Sequence, residues 1–228
     1  MKVTLSFEES STCDVSIMVD ALRASTTITL GLDKFKRIIP CFTPEEALKI
    51  KNKIGGTVAG ERMGKQLEGF DIGNSPSQIM NLKTPDDTLI LTTSNGTRIL
   101  ENMDSRVLVG SMVNARAAGL KGIRLADTHI DVVMAGVRGE FAIEDFLASG
   151  EILYWINRNL KTCQLSEYAK SAILASRNYE SVKEAFLSSR TGARLVELGF
   201  KEDVELSSLK NITDNVAIYH DNELTLYI

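Results

Sequence analysis

Cysteine is scarce in this sequence. Cys13, Cys41 and Cys163 are the only three in 228 residues, odd in number, widely spaced and outside any Cys-x-x-Cys pattern. They give no reason to expect a structural zinc site or a disulfide framework, and they suit a reduced, cytoplasmic compartment. Histidine is scarcer still, with only His129 and His220. His129 is expected just before a strand, at the end of the sheet opposite the polar turns described below, and His220 in a terminal hairpin. Phosphohistidine and histidine-base mechanisms are therefore disfavoured.

Basic charge is not in excess either: 26 Lys and Arg against 30 Asp and Glu give a formal charge of −4. A nucleic-acid binder would ordinarily show a basic stripe, so that class of partner is not expected. No segment approaches the roughly 20 apolar residues of a membrane span, and MKVTLSFEESS at the N-terminus meets acids before it could build an apolar signal core. Neither the GxGxxG nor the GxxxxGK[ST] phosphate loop occurs. No cysteine is followed six positions later by Arg, and Asp20 is followed by Leu22 at the second position, so the Cys-x5-Arg and DxD phosphatase signatures are absent.

The remaining composition, 43% hydrophobic and 25% charged, is that of an ordinary globular chain. Apolar runs that read as buried strands alternate with polar turns and helices. Strands are expected at Ser16–Val19, Arg37–Cys41, Val58–Gly60, Leu89–Thr92, Val107–Gly110 and Ile130–Ala135. Helices are expected at Ser25–Leu32, from Thr43-Pro44-Glu45-Glu46 onward, from Ser75-Pro76, at Gly96–Asn102, after Asn114 as cap to about Gly119–Gly122, and from Ala142 to about Leu160. Thr43 and Ser75, each followed by Pro and then by Glu or Gln at the third position, carry capping-box signals. Three further helices, Glu167–Tyr179, Ser181–Ser189 and Thr191–Leu198, precede a C-terminal β-hairpin around Asp221-Asn222. The pattern specifies an α/β protein, a three-layer α/β/α fold around a mixed, mostly parallel sheet, with the hairpin as its antiparallel edge. No linker divides the chain, so a single domain over residues 1–228 is expected. IMVDALRASTTI and LILTTSNGTRIL share a strand–turn–helix outline that any two βαβ units would also share.

In open α/β sheets ligands sit outside the carboxyl ends of the strands, and four turns expected there are unusually polar. In DALRASTT, Asp20 could hold a hard cation such as Mg²⁺ and Arg23 an anion, or the two could close the turn as an ion pair. In GERMGKQLEGFDIGNSP, Glu61 and Arg62 follow a strand directly, and Asp71 leads through Gly73, Asn74 and Ser75 to a helix start that could cradle an anion. Lys65, Gln66 and Glu68 look solvated, and the whole stretch could be a solvent loop. In TTSNGTR, the hydroxyls of Thr92, Thr93, Ser94 and Thr97, the Asn95-Gly96 turn and Arg98 suit a phosphate, although a capped turn without ligand has the same composition. In GVRGEFAIED, Arg138 is joined by Glu144 and Asp145 at a helix start, where acids also serve the helix dipole. Carboxylate, arginine and hydroxyl chemistry around a hard cation remains, as in metal-assisted phosphate-ester hydrolysis.

VDALRASTT, GERMGKQLEGFDIGNSP, LTTSNGTR and AGVRGEFAIED, in that order, together with TGARLVELGFKEDVELSSLKN, resemble the 2-phosphosulfolactate phosphatases over nearly the whole chain. The resemblance implies an α/β, Mg²⁺-dependent phosphatase that converts 2-phospho-3-sulfolactate to 3-sulfolactate and phosphate on the route to coenzyme M. It implies that Asp20, Glu61, Asp71, Glu144 and Asp145 serve metal coordination and water activation, with Asp20, Glu144 and Asp145 as metal ligands. Arg23, Arg62, Ser75, Thr93, Asn95, Gly96, Thr97, Arg98 and Arg138 would hold the anionic groups. Met63 stands where a small residue is expected, Gln78 where an acid is expected and Met134 where a cysteine is common. These departures leave room for another small phosphorylated 2-hydroxy acid as substrate, or for a non-catalytic anion-binding member. Whether water attacks directly or a carboxylate is phosphorylated stays open. A homo-oligomer is the default assembly.

Overall fold

The computed structural model describes residues 1–83, 86–93, 99–100 and 103–228. Among them, eleven strands form one sheet: β1 (Lys2–Phe7), β2 (Val15–Val19), β3 (Arg37–Cys41), β4 (Thr57–Arg62), β5 (Lys65–Gln66), β6 (Thr88–Thr92), β7 (Arg106–Val109), β8 (His129–Met134), β9 (Gln164–Leu165), β10 (Ala217–His220) and β11 (Glu223–Leu226). Their order is β5-β4-β6-β3-β11-β10-β7-β2-β8-β1-β9. VSIMV of β2 and HIDVVM of β8 are buried along their whole length, as largely apolar strands covered on both faces should be, and the buried Asp131 of β8 accepts from the Thr4 and Ser6 hydroxyls of β1.

The α/β class, the mostly parallel pairing and the C-terminal hairpin are as the sequence predicts. The hairpin, however, is not an edge. β10 and β11 pair with each other, β10 with β7 and β11 with β3, all antiparallel. They join a parallel block β4-β6-β3 to a parallel block β7-β2-β8-β1. Three antiparallel steps reverse the second block relative to the first. Five steps separate β2 from β6, and at about 20–25° of twist per step the two directions diverge by roughly 100–125° on top of that reversal. Accumulated twist brings the carboxyl ends of β2 and β6, nominally opposed, back toward one side.

Three apolar clusters fill the layers. One packs the helices Ala115–Leu125, Ile143–Asn159, Glu167–Ser176 and Tyr179–Ser188 on one face of β1, β2 and β8. Another lies on the opposite face, around Met18, Ile28, Ile79 and Leu91. A third sets Ala47 of the helix Pro44–Ile54 against Val58 and Ile90. The helix Ala24–Gly31 is buried at all eight positions, and its hydroxyls need partners there. Thr26 donates to the Ala21 carbonyl at 3.0 Å, and Thr29 accepts from Asn114 at 3.3 Å.

Local signals place most helix starts well. Thr43 Oγ1 accepts from the Glu46 N–H at 3.1 Å and Ser75 Oγ from that of Gln78 at 3.3 Å. Asn114 does not cap the next helix. Ser111 caps a short 3₁₀ turn, Met112–Asn114, and the Asn114 side chain accepts from the Ser111 N–H. The helix then runs on to Leu125. β1 and the helix Lys201–Ser207 have no counterpart in the sequence reading. Among the described residues no helix is long and apolar enough to cross a membrane.

Candidate active site

Asp20 follows β2, Glu61 ends β4, Thr93 follows β6 and Arg138 follows β8; all four line one cavity of about 380 Å³, within the range of small-molecule sites. One residue from each of the four polar turns thus meets the same cavity. Ser94, Asn95, Gly96, Thr97 and Arg98 lie outside the described residues.

Asp20 is buried, and its turn is held by reciprocal contacts with Ser25: the Asp20 N–H donates to Ser25 Oγ and the Ser25 N–H to the Asp20 carbonyl, both at 2.8 Å. Glu61 is also buried, and its Oε2 accepts from the Gly64 N–H at 2.7 Å. Arg62 and Lys65 pair across a two-residue hairpin turn in which Met63 and Gly64 both have positive φ, 56° and 83°, the geometry that suits sheet twist. Met63, where the sequence departs from the expected small residue, thus occupies a turn position and lends its exposed side chain to the cavity rim.

Arg23 lines the cavity but turns away from Asp20. Its Nη1 donates to Asp203 at 2.7 Å and its Nη2 to the Gly64 carbonyl at 3.0 Å, while the guanidinium stacks 4.7 Å from the Phe200 ring centre. Three of its five N–H donors stay outside these two bonds. Asp203 is fully buried; its other oxygen accepts from Ser75 Oγ at 2.8 Å, Ser77 Oγ at 2.6 Å and Ser77 N–H at 3.1 Å. Ser75 is therefore engaged as a helix cap and as a partner of Asp203.

Asp145 sits behind the cavity with both oxygens taken by backbone: Ala21 N–H at 2.8 Å and Gly136 N–H at 2.9 Å. It ties the turn after β2 to the exit of β8. Burial, then the nearby charges of Asp20 and Glu144, raises its pKa well above that of an ordinary aspartate, against the pull of the two N–H donors. Glu144 is buried and lines a smaller adjoining cavity with Val137, Phe141 and Arg190.

Asp71 and Arg62, both expected at the site, are engaged away from the cavity, and Lys65 is solvated as the sequence suggests. Asp71 accepts from Lys51 Nζ at 2.7 Å and from the Val58 N–H at 2.7 Å, so it ties the helix Pro44–Ile54 to β4. Arg62 donates to the carbonyls of Glu61 and Phe42 at 2.7 and 3.0 Å and to Thr92 Oγ1 at 3.2 Å. Lys65 is exposed on β5. Charge at a polar turn does not by itself say which way a side chain points; strong local acceptors and donors decide it.

The cavity also has walls that the sequence reading missed. Arg190, Thr191, Arg194 and Leu195 of the helix Arg190–Glu197 close one side with Glu140, while Asn74, named above in the candidate anion cradle, lies on the wall as well. Arg190 bridges to Glu140 across the mouth. Arg190 and Arg194 stand at i and i+4 and so share a helix face, and Arg194 lies within the TGARLVELGFKEDVELSSLKN stretch quoted above, the signals that could have marked them.

An α/β protein whose strand ends deliver carboxylates into a cavity that also holds four arginines, Arg23, Arg138, Arg190 and Arg194, the last two from the helix Arg190–Glu197, offers cationic partners to a small anionic ligand. Comparison with known proteins agrees. The chain belongs to the 2-phosphosulpholactate phosphatase family, a family of phosphoric monoester hydrolases whose sequence profile matches residues 3–222. It is 46% identical over 226 residues to the 2-phosphosulfolactate phosphatase of Methanothermobacter thermautotrophicus, covering 99% of this chain and 96% of that one. A "Probable 2-phosphosulfolactate phosphatase" of Clostridium acetobutylicum is 34% identical over 222 residues, covering 95% and 94% of the two chains. One of Thermotoga petrophila is 33% identical over 206 residues, covering 90% and 88%.

Proposed function

We propose that this protein is a Mg²⁺-dependent phosphatase that hydrolyses 2-phospho-3-sulfolactate to 3-sulfolactate and phosphate, in the cytoplasm, on the route to coenzyme M. The observation that carries the reading is the mixed cavity itself: Asp20 and Glu61 share one space of about 380 Å³ with Arg23, Arg138, Arg190 and Arg194. A substrate with phosphate, carboxylate and sulfonate needs several cationic partners, and an acidic chain must gather them locally.

The donor set suits Mg²⁺. Asp145 feels both Asp20 and Glu144, so like charges crowd one region that a divalent cation would relieve. Among the described residues no three acidic, His or Cys side chains form a metal-binding group. That is compatible with Mg²⁺, which commonly takes one or two carboxylates and completes its shell with waters and substrate phosphate. Asp20 and Glu144 are the proposed ligands, with Asp145 holding their turns. When bound, the ion would neutralise phosphate charge and polarise the phosphoryl group.

The chain's own residues do the rest. Arg138, Arg190 and Arg194 would bind and orient the anionic groups, and Glu61, outside the proposed metal ligands, would take a proton from water. The test is release of orthophosphate from 2-phospho-3-sulfolactate, with and without chelator, beside phospholactate and phosphoglycolate. Highest kcat/KM on the sulfonated ester, lost on chelation, supports the reading. Preference for an ester without sulfonate overturns the substrate assignment, and activity that survives chelation overturns the metal.

A further inference from the structure

The arginines of the cavity are held in different ways. Arg23 is bound to Asp203 and Arg194 touches Glu197, and neither of those carboxylates lines the cavity. Arg190 is paired with Glu140, which does line it. Arg190 also borders the smaller adjoining cavity, beside Glu144 and Thr191. A carboxylate of the protein itself thus occupies a cation of the site.

Both partners stand on fixed backbone. Glu140 ends a two-residue turn after β8: its N–H donates to the Val137 carbonyl at 3.0 Å, and the Val137 N–H donates to the Glu140 carbonyl at 2.9 Å. Arg138 and Gly139 between them have positive φ, 53° and 78°, as a tight hairpin turn of this kind requires. Arg190 opens its helix, and the preceding Ser189 caps it by accepting from the Gly192 N–H at 2.9 Å. Rearrangement of the pair therefore falls to the two side chains.

Those side chains, of Arg190 and Glu140, are 59% and 65% exposed. A pair so open to water is held weakly, because solvent screens it and two long side chains lose freedom in forming it. A ligand with several anionic groups has the advantage. Once another arginine of the cavity holds one group, the next meets Arg190 at high effective concentration. A phosphate, sulfonate or carboxylate can then bond the guanidinium in place of Glu140.

We propose that Glu140 acts on the site through Arg190, as an internal competitor that occupies the guanidinium and yields it to an anionic group of the ligand, an inference that rests on the anionic-substrate reading above. Glu140 is in this sense a positioning residue. It keeps Arg190 at the mouth, and ligand affinity is lowered by the fraction of Arg190 that it holds. A ligand that brings one anionic group must displace Glu140 unaided, whereas a multiply anionic one is anchored first.

The test measures binding of 3-sulfolactate in Mg²⁺, by titration calorimetry, to wild type, Glu140→Gln, Arg190→Met and the double variant. Glu140→Gln keeps the shape and loses the charge. It tightens Kd about three- to fivefold, the upper range of what an exposed ion pair contributes, and KM for 2-phospho-3-sulfolactate falls with it. Arg190→Met weakens Kd about 10-fold. In the Arg190→Met background the Glu140 substitution changes Kd by less than about 1.5-fold, the signature of two residues that act through one contact. An equal gain in both backgrounds overturns the proposal, since Glu140 would then act only through its field. An unchanged or weaker Kd in Glu140→Gln alone overturns it too. A wild type that binds 3-sulfolactate but releases phosphate from no ester overturns the phosphatase reading, and the four Kd values still decide this proposal; one that does not bind 3-sulfolactate overturns both.

Discussion

Arg23 and Asp203, 180 positions apart, meet in a 2.7 Å ion pair that is 3% and 0% exposed. The pair binds the turn after β2 to the helix Lys201–Ser207, and through Ser75 and Ser77 it fixes the start of a third segment. Arg23 thus has a structural duty before any duty to a ligand. Removing one partner of a buried pair strands the other charge, at a cost of about 3–5 kcal/mol.

Asp203→Asn or Arg23→Ala is accordingly expected to lower stability by about 3–5 kcal/mol, or Tm by roughly 10 °C at this chain length. The double variant Arg23→Met/Asp203→Leu should recover part of that loss without recovering the wild-type KM. Denaturant melts of the three proteins check this; a single variant as stable as wild type would rule out the pair as a structural clamp.

The buried carboxyl of Asp145 sets a pH dependence. Its native pKa is raised, by burial first and then by Asp20 and Glu144, so the native state holds its proton where the unfolded chain, with an aspartate near 3.9, has released it. Stability from this group is full below about pH 4 and is lost as pH climbs from there toward the raised native value. Mg²⁺ bound as proposed would favour the charged forms and oppose the loss. Melts between pH 5 and 8 should show Tm declining in chelator and held up in Mg²⁺, with the Mg²⁺ effect largest at high pH and abolished by Asp20→Asn. A Tm indifferent to Mg²⁺ at every pH would remove the metal from the site.

Local physics made much of this legible in advance. VSIMV and IDVVM read as buried strands because apolar side chains dominate them; the one carboxylate, Asp131, is buried on hydrogen bonds from Thr4, Ser6 and Ser11. Thr43 and Ser75 read as caps because the interaction spans three residues. Asp20, Glu61, Thr93 and Arg138 could be grouped because each lies at or beyond the carboxyl end of a strand. What the sequence could not carry was pairing over distance. Asp221-Asn222 marks the hairpin turn, with both residues at positive φ, yet nothing local says that it fills the centre of the sheet. Asp71 looked like a site residue until Lys51 and the Val58 N–H claimed it. Arg190 and Arg194 lie on a short helix whose facing is decided by Leu195 packing into the core.

Asp14 should act opposite to Asp145. Burial works to raise its pKa, but N–H donors of Thr128, His129 and Asp127, with Arg106, outweigh it and hold the value at about 2. Its stabilisation is present above the unfolded value near 3.9 and is lost as pH falls through about 2. Asp14→Asn should cost on the order of 1–2 kcal/mol at pH 7, and the difference from wild type should shrink steadily between pH 4 and pH 2. A gap that stays constant over that range would mean that packing, not charge, is lost in the variant.

Arg194 offers the sharpest test of substrate choice. It lines the cavity from the helix Arg190–Glu197, its link to Glu197 is a long 3.4 Å contact at the surface, and such exposed pairs are worth little. Its charge can therefore be removed at small cost to the fold. Arg194→Met keeps the aliphatic stem and loses the guanidinium. If Arg194 holds the sulfonate, kcat/KM for 2-phospho-3-sulfolactate should fall about 10- to 100-fold, in line with about 1.5–3 kcal/mol for a hydrogen bond to a charged group. For phospholactate, which has no sulfonate, it should change by about twofold or less. Equal losses on both esters would move Arg194 to the phosphate or carboxylate, and leave Arg190, bridged to Glu140 at the mouth, as the next cation to test.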